Sequence, residues 1–485
     1  MMGSAVAQAA VAASCLLATA AKDPRPNIVW VMADDLGWGE PGLYPSESPH
    51  GRISTPNLDR LGKEGIVFTH AYAGYTVCAP SRTTFFTGRH SGQFAKLGLN
   101  GEEIKVEQNV TNLAVVMQRA GYKTGAFGKV APLVAPLKQG FDVFTGQIDQ
   151  AACHNMYPKA IDADFSTWNM ALVGNHQEKS RTLCMKNPEN YNYTIDVFHD
   201  YGMSWLESVA KGSHPFFMYL SYTIPHAGGW GESPKDPEEG APVPTDLQYA
   251  DKSWPDVEKD HAAVITYLDL KVGDLMDRLE KLGVGDNTLI FFASDNGAHI
   301  EGGHRKEFFN STGGLLGHKR SLFEGGVRSP TMARWPHGIP PHRTSDFAWA
   351  FWDVLPTLAE LAGVEAPPGL DGMSLAPTLR GETQAAHEFL YFTWGAGKKY
   401  GYSVRMGRWK GVVHNCADAV GRRPSQEDQM EVYDLAADPF ETRDVAFDQA
   451  SVVASLKQTV ISKNFTCTCF QCGMNTKLHL SELLI

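Results

Sequence analysis

Two acidic pairs and one cysteine are the residues of this sequence whose types and spacing could do chemistry. Asp34-Asp35 closes the apolar run at 27–37 (NIVWVMADDLG), and Asp295-Asn296 follows the apolar run at 288–293 (TLIFFA). In open parallel sheets ligands bind beyond the carboxyl ends of the strands, so the two pairs are expected to converge there. Three carboxylates and an amide oxygen are hard donors, suited to Ca2+ or Mg2+ and poorly suited to copper, iron or zinc. Either pair alone reads equally well as a turn or a helix cap; two of them after core strands point to a metal. Cys78 opens the segment CAPSRTTFFTGR at 78–89. Pro80 suits the first turn of a helix, which puts Cys78 at a helix N-terminus, where free N–H groups and the dipole favour an anion. Arg82, one turn on, can direct two donors onto an oxyanion. This is an anion site with a nucleophile at its edge, although an isolated cysteine is more simply a buried structural residue.

The elements that must position these residues follow from hydrophobic pattern. The unalternated run at 27–37 suggests a strand buried on both faces, as in a parallel sheet covered by helices. Thr55-Pro56 reads as an N-cap and first turn, with Leu58 and Leu61 at helical spacing and Gly65 as the stop. A helix is expected at 112–121 and another at 260–282, each ended by glycine, with strands at 123–127, 215–221 and 288–293. This alternation predicts an α/β fold: a large, mainly parallel sheet sandwiched by helices, spanning residues 24–375. After a helix at 353–363 and the stretch VEAPPGLDG come short strands around Tyr391, Val404 and Val412 and a last helix at 452–462. They predict a smaller C-terminal α+β domain at 376–485. The Pro/Glu/Gly-rich loop at 228–249 is expected to be a surface excursion.

Composition narrows the function classes. The 485 residues are 43% hydrophobic and 20% charged, with formal net charge −11, and no Lys/Arg run suggests a nucleic-acid partner. No apolar stretch reaches the ~18–20 residues of a membrane span. Residues 1–21 are small and apolar and end in Ala18-Thr19-Ala20, which predicts a secretory signal peptide, with a disordered Ala-rich extension as the other reading. Sequons at Asn109, Asn192, Asn310 and Asn464 fit a glycoprotein that is secreted or held in a secretory or lysosome-like lumen. The crowded Cys467, Cys469 and Cys472 suit disulfides in an oxidising compartment better than a metal site, since no fourth ligand is near.

The CAPSR…TGR segment resembles the signature of the type I, formylglycine-dependent sulfatases, C-x-P-S-R-x-x-x-x-T-G-R, arylsulfatase-like members of the alkaline phosphatase superfamily. The resemblance runs on through Gly128-Lys129, GFDVFTGQIDQAACHNMYP (140–158), Pro225-His226, SDNGAHIEGGH (294–304), GHKRSLFEGGVRSP (317–330) and EVYDLAADPFETRD (431–444). It implies an alkaline-phosphatase-like fold and a sulfuric ester hydrolase. Cys78 would be oxidised by a formylglycine-generating enzyme, and its hydrate would attack sulfur through a covalent sulfo-enzyme intermediate. It further implies one Ca2+ held by Asp34, Asp35, Asp295, Asn296 and the modified Cys78. Arg82 and Lys129 would stabilise the developing charge, and His226 and Lys319 would contact the sulfate and protonate the departing alcohol. An acidic protein with anionic substrates must concentrate positive charge in the site, and this set does so.

One departure stands out. Many family members carry G-K-x-H, whereas here Ala131 follows Gly128-Lys129-Val130. A branch lacking that histidine has one in H-N-x-Y-P, matching His154, which is therefore expected to supply the missing imidazole. The substrate would be a sulfated sugar or polysaccharide, or a small aryl sulfate, with His299, Glu301 and His304 as hydroxyl-binding candidates. A phosphonate monoester or phosphodiester hydrolase of the same superfamily is the alternative. A non-catalytic sulfated-glycan-binding protein is a third reading; Ala131 favours it, and the complete ligand set opposes it.

Overall fold

A computed structural model describes residues 23–94, 106, 110–150, 152–158, 160–163, 166–171, 192–228, 240–395, 400–414 and 425–463. The leader-like residues 1–21, the sequons at Asn109 and Asn464 and the three C-terminal cysteines lie outside the described residues.

In chain order the strands are β1 (Asn27–Asp34), β2 (Ile66–Phe68), β3 (Ala71–Tyr72), β4 (Lys123–Lys129), β5 (Val143–Gln147), β6 (Ala160–Ala163), β7 (Ser166–Ala171) and β8 (Phe216–Pro225). They continue with β9 (Thr288–Ser294), β10 (Thr331–Arg334), β11 (Arg343–Ser345), β12 (Trp349–Ala350), β13 (Leu390–Trp394), β14 (Gly401–Met406), β15 (Trp409–Val413) and β16 (Glu431–Asp434). Ten form one sheet in the order β11-β2-β10-β9-β1-β8-β4-β5-β6-β7. Its centre is parallel, β9, β1, β8, β4 and β5 all running together, while β10, β6 and β7 pair antiparallel at the flanks. The carboxyl ends of the four innermost parallel strands are thus neighbours.

The unalternated pattern of β1 has its cause in this placement. Ile28, Trp30 and Met32 pack on one face with Phe85, Leu113, Met117 and Leu358. Val29, Val31 and Ala33 pack on the other with Leu58, Leu206, Leu268 and Leu275. A strand between two helical layers has no wet face, so every position is apolar until the chain emerges at Asp34. The parallel strands run further than expected from sequence. β4 reaches Lys129 rather than residue 127, and β8 reaches Pro225 rather than 221, because pairing with buried neighbours continues past the apolar run. The helix expected at 260–282 spans Asp256–Lys281.

Two local expectations are corrected. Thr55 does not cap the helix Pro56–Lys63 with its side chain; its hydroxyl accepts from the Gly42 N–H at 2.8 Å instead. The described part of the loop at 228–249 is not a surface excursion, since Ala241, Val243 and Tyr249 are buried in the main core.

β13 to β16 form an antiparallel sheet against which the helix Ala450–Ser462 packs Leu456 and Val460. A fully buried ionic cluster joins this sheet to the segment that follows Lys319. Lys410 on β15 donates to Glu324 (2.8 Å) and reaches Glu441 (2.9 Å), and Glu324 also accepts from Tyr72 (2.7 Å) and Arg328. Among the described residues no helix is long and apolar enough to cross a membrane.

Candidate active site

Each inner parallel strand delivers a charged or polar group as it ends. β1 ends at Asp34, and Asp35 turns away in the left-handed region (φ 71°), a conformation that aspartate tolerates better than most residues. β9 leads into Asp295-Asn296, β4 ends on Lys129, and β8 is followed at once by His226. The helix Cys78–Thr87 starts at Cys78 itself, with Val77 as its extended N-cap residue and Gly88 closing it at φ 68°. All ten residues of this helix are buried, so Arg82 can only point inward.

Three cations meet three aspartates and one glutamate. The Arg82 guanidinium donates from Nε to Asp295 (2.8 Å) and from Nη1 to the Lys129 carbonyl (3.1 Å), the Tyr219 hydroxyl (3.2 Å) and Ser221. Its Nη2 pairs with Asp295 at 2.7 Å and lies 3.5 Å from Asp34. Sequence suggested that Arg82 would fork onto a bound anion; here the fork is closed on Asp295, as a fully buried guanidinium requires. Lys129 donates to Asp34 (2.6 Å) and contacts His154 Nε2 (3.3 Å). Lys319 donates to Asp35 (2.7 Å) and Glu301 (2.9 Å) and lies 3.1 Å from His226 Nε2. Burial opposes ionisation of Asp34, but Lys129 and Arg82 outweigh it and hold the carboxyl far below the usual range.

The two imidazoles lie face to face. The rings of His154 and His226 stack at 3.8 Å and 8°. His226 Nδ1 donates to the Ala227 carbonyl (2.7 Å), which leaves Nε2 as the acceptor that faces Lys319. Burial, with His226 and Lys129 beside it, pushes the His154 pKa well down, so this ring is neutral near pH 7. The Cys78 sulfur accepts from Gln150 Nε2 at 3.0 Å. Burial pushes the thiol up against the pull of Lys129, so an unmodified Cys78 is a protonated thiol and a poor nucleophile.

The donor set fits a hard cation. Asp34 Oδ1 and Asn296 Oδ1 are buried and have no hydrogen-bond partner among the described residues. The amide of Asn296 is oriented by its Nδ2, which donates to Asp35 (2.8 Å) and to the Gly297 carbonyl (2.9 Å), so the oxygen is the atom left over. An unpaired buried acceptor is costly, and a cation bound by oxygen would remove two such costs at once. Asp34, Cys78 and Asp295 each present a ligand atom within 4.8 Å of the others.

The hydroxyl-binding candidates separate. His304 is buried, with Nδ1 bonded to Glu258 (2.7 Å) and Nε2 to Ser311 (3.2 Å), and it stacks on His261; both nitrogens are taken, so it braces the loop rather than a substrate. His299 is buried too, its Nδ1 accepting from the Glu301 N–H (3.1 Å). Of the three, Glu301 alone is partly exposed. Sequence reasoning missed Gln150, Tyr219, Ser221 and Arg320. Gln150 and Arg320 lie inside segments that carry the resemblance, but nothing in their residue types marked them.

Comparison with known proteins agrees with this geometry. Residues 26–364 match the family described as Sulfatase, and residues 315–465 match the one described as N-sulphoglucosamine sulphohydrolase, C-terminal. The N-acetylgalactosamine-6-sulfatase of Rattus norvegicus is 30% identical over 75% of this chain and 67% of its own length. Arylsulfatase A of Homo sapiens is 30% identical over 90% of this chain and 87% of its own. The crystal structure of Ps i-CgsB with k-i-k-neocarrahexaose shares the fold, with a TM-score of 0.71 at 23% identity over 91% of this chain and 93% of that one. The chain belongs to the sulfatase family of formylglycine-type enzymes, within the alkaline phosphatase superfamily. It is a sulfuric ester hydrolase.

Proposed function

We propose that this chain removes sulfate from a sulfated sugar or polysaccharide, using Cys78 after its oxidation to formylglycine and one calcium ion. The observation that carries the reading is Cys78 at a helix N-terminus amid three cations and three aspartates, gathered at the carboxyl ends of β1, β4, β8 and β9. The names of the relatives, a hexosamine sulfatase and an arylsulfatase, favour sulfate monoesters over phosphonate or phosphodiester substrates. Mass spectrometry of the Cys78 peptide, with a panel of sulfate monoesters and phosphodiesters, tests both parts. An unconverted cysteine throughout, or phosphodiesters cleaved faster than sulfates, would overturn it.

Asp34, Asp35, Asp295, Asn296 and the modified Cys78 would hold the calcium, which supplies positive charge to polarise sulfate oxygens and lower the barrier at sulfur. Asn296→Ala removes one of the two orphaned oxygens. It is expected to weaken calcium binding measured by calorimetry on chelator-treated protein; an unchanged affinity would take Asn296 out of the ligand set. Arg82, locked by its contacts, fixes Asp295 and contributes charge without moving. Lys129 is held by Asp34 and Lys319 by Asp35, and preorganised cations of this kind need no rearrangement as charge develops. His226 Nε2, which accepts from the Lys319 ammonium, is placed to relay a proton from that ammonium to the departing alcohol.

His154 takes the part of the family histidine absent at Ala131, the base that eliminates sulfate from the covalent intermediate. It is neutral, lies one ring away from His226 and touches Lys129. His154→Ala is expected to slow steady-state turnover on the order of 10²-fold, with alcohol released before sulfate in a burst. Unchanged turnover on a good substrate would remove His154 from the mechanism. The leader-like residues 1–21 and the sequons support passage through the secretory route and conversion by a formylglycine-generating enzyme. A division of the chain near residue 375 belongs to the same reading.

A further inference from the structure

We propose that Arg320 forms a second anion-binding subsite, which favours substrates carrying another oxyanion, sulfate or carboxylate, beside the scissile sulfate. This rests on the reading of the site as a sulfated-sugar hydrolase and names the kind of sugar it prefers. Charges alternate in a line from the buried centre to the solvent: Asp35, Lys319, Glu301, Arg320. Their side chains are 0%, 3%, 17% and 35% exposed in that order. The line is continuous, since Asp35 accepts from Lys319 at 2.7 Å, Lys319 donates to Glu301 at 2.9 Å, and Glu301 accepts from Arg320. Lys319 is therefore spoken for by the reaction centre, and Arg320 is the cation at the mouth.

Two features make Arg320 more than a counter-ion for Glu301. Its backbone lies in the left-handed region (φ 72°), unfavourable for arginine, and is held there by its N–H donating to the Thr76 carbonyl at 2.9 Å. Thr76 is two residues from Cys78, so the turn ties the Arg320 backbone to the nucleophile's own segment. Nη1 is the engaged nitrogen; among the described residues Nε and Nη2 have no protein acceptor. A partly exposed guanidinium with one nitrogen bonded to a carboxylate keeps donors that can receive a planar or tetrahedral oxyanion. The chain has a net charge of −11, so a polyanionic glycan needs such an outward cation to approach this mouth.

The test is calorimetric, on the full-length protein, with a monosulfated hexosamine and with the same hexosamine bearing a second sulfate. The wild type is expected to bind the disulfated sugar more tightly by roughly tenfold or more. Arg320→Gln is expected to abolish that preference while leaving the monosulfated sugar within about threefold, and Arg320→Lys to keep part of it, as a point charge would. No preference in the wild type overturns the proposal. So does an equal loss on both sugars in Arg320→Gln, which would mean that the arginine only steadies Glu301. Sulfate release from the monosulfated sugar by converted wild type is read separately: its failure strikes the reaction, and a missing affinity ratio strikes the subsite.

Discussion

Cys78→Ala is expected to lower turnover of any sulfate ester by about 10⁴-fold or more, with almost no change in stability. The variant deletes the atom of the site that becomes the nucleophile. Structurally it removes little, because alanine fits the buried first position of the helix Cys78–Thr87 and the N-cap geometry comes from Val77. The hydrogen bond from Gln150 Nε2 disappears with the sulfur, but Gln150 is only partly buried and its amide can turn to water. The folding cost should thus stay near ~1 kcal/mol. Turnover and thermal unfolding measured on one preparation check both halves. Activity within tenfold of wild type would mean that the nucleophile lies elsewhere.

Lys410→Met should do the reverse, with its main effect on stability. Lys410 is almost completely buried and lies between Glu324 and Glu441, at 2.8 and 2.9 Å. Methionine fills the volume but leaves two carboxylates without their shared cation in a buried site. Breaking a buried ionic group from one side costs about 3–5 kcal/mol, far more than the group adds relative to an apolar replacement. Urea unfolding should show that loss, and Lys410→Met combined with Glu441→Gln should regain part of it by removing one of the stranded charges. A loss under ~1 kcal/mol would mean that water or Arg328 already neutralises the cluster.

What could be read from the sequence was whatever a short window encodes. A strand buried on both faces announces itself by an unbroken apolar run, so the ends of β1 and β9, and with them Asp34, Asp35, Asp295 and Asn296, were legible from residue types alone. Pro80 placed Cys78 at a helix start for the same local reason. Contacts across the fold left no such trace. Arg82 draws on Tyr219 and Ser221 from a strand more than a hundred residues away, and Gln150 reaches Cys78 from a connecting loop. His304 was a hydroxyl-binding candidate because its loop was expected to be exposed. It is held instead by Glu258, on a helix that begins nearly fifty residues earlier. The antiparallel flanks of the large sheet were equally invisible, since short strands such as β2 and β11 carry too few residues to show a period.

The position of β1 at the centre of the ten-stranded sheet has a consequence for how this enzyme can change over generations. Backbone amides of β1, β8 and β9 are paired on both sides and sealed from water, so in hydrogen-exchange experiments they should be the last to open. The reaction centre hangs from these slow strands, whereas Glu301 and Arg320 ride on the long segment that follows β9. Substitutions at the mouth can therefore retune which sugar enters without loosening the atoms that do the chemistry. One reaction is thereby free to spread over many substrates.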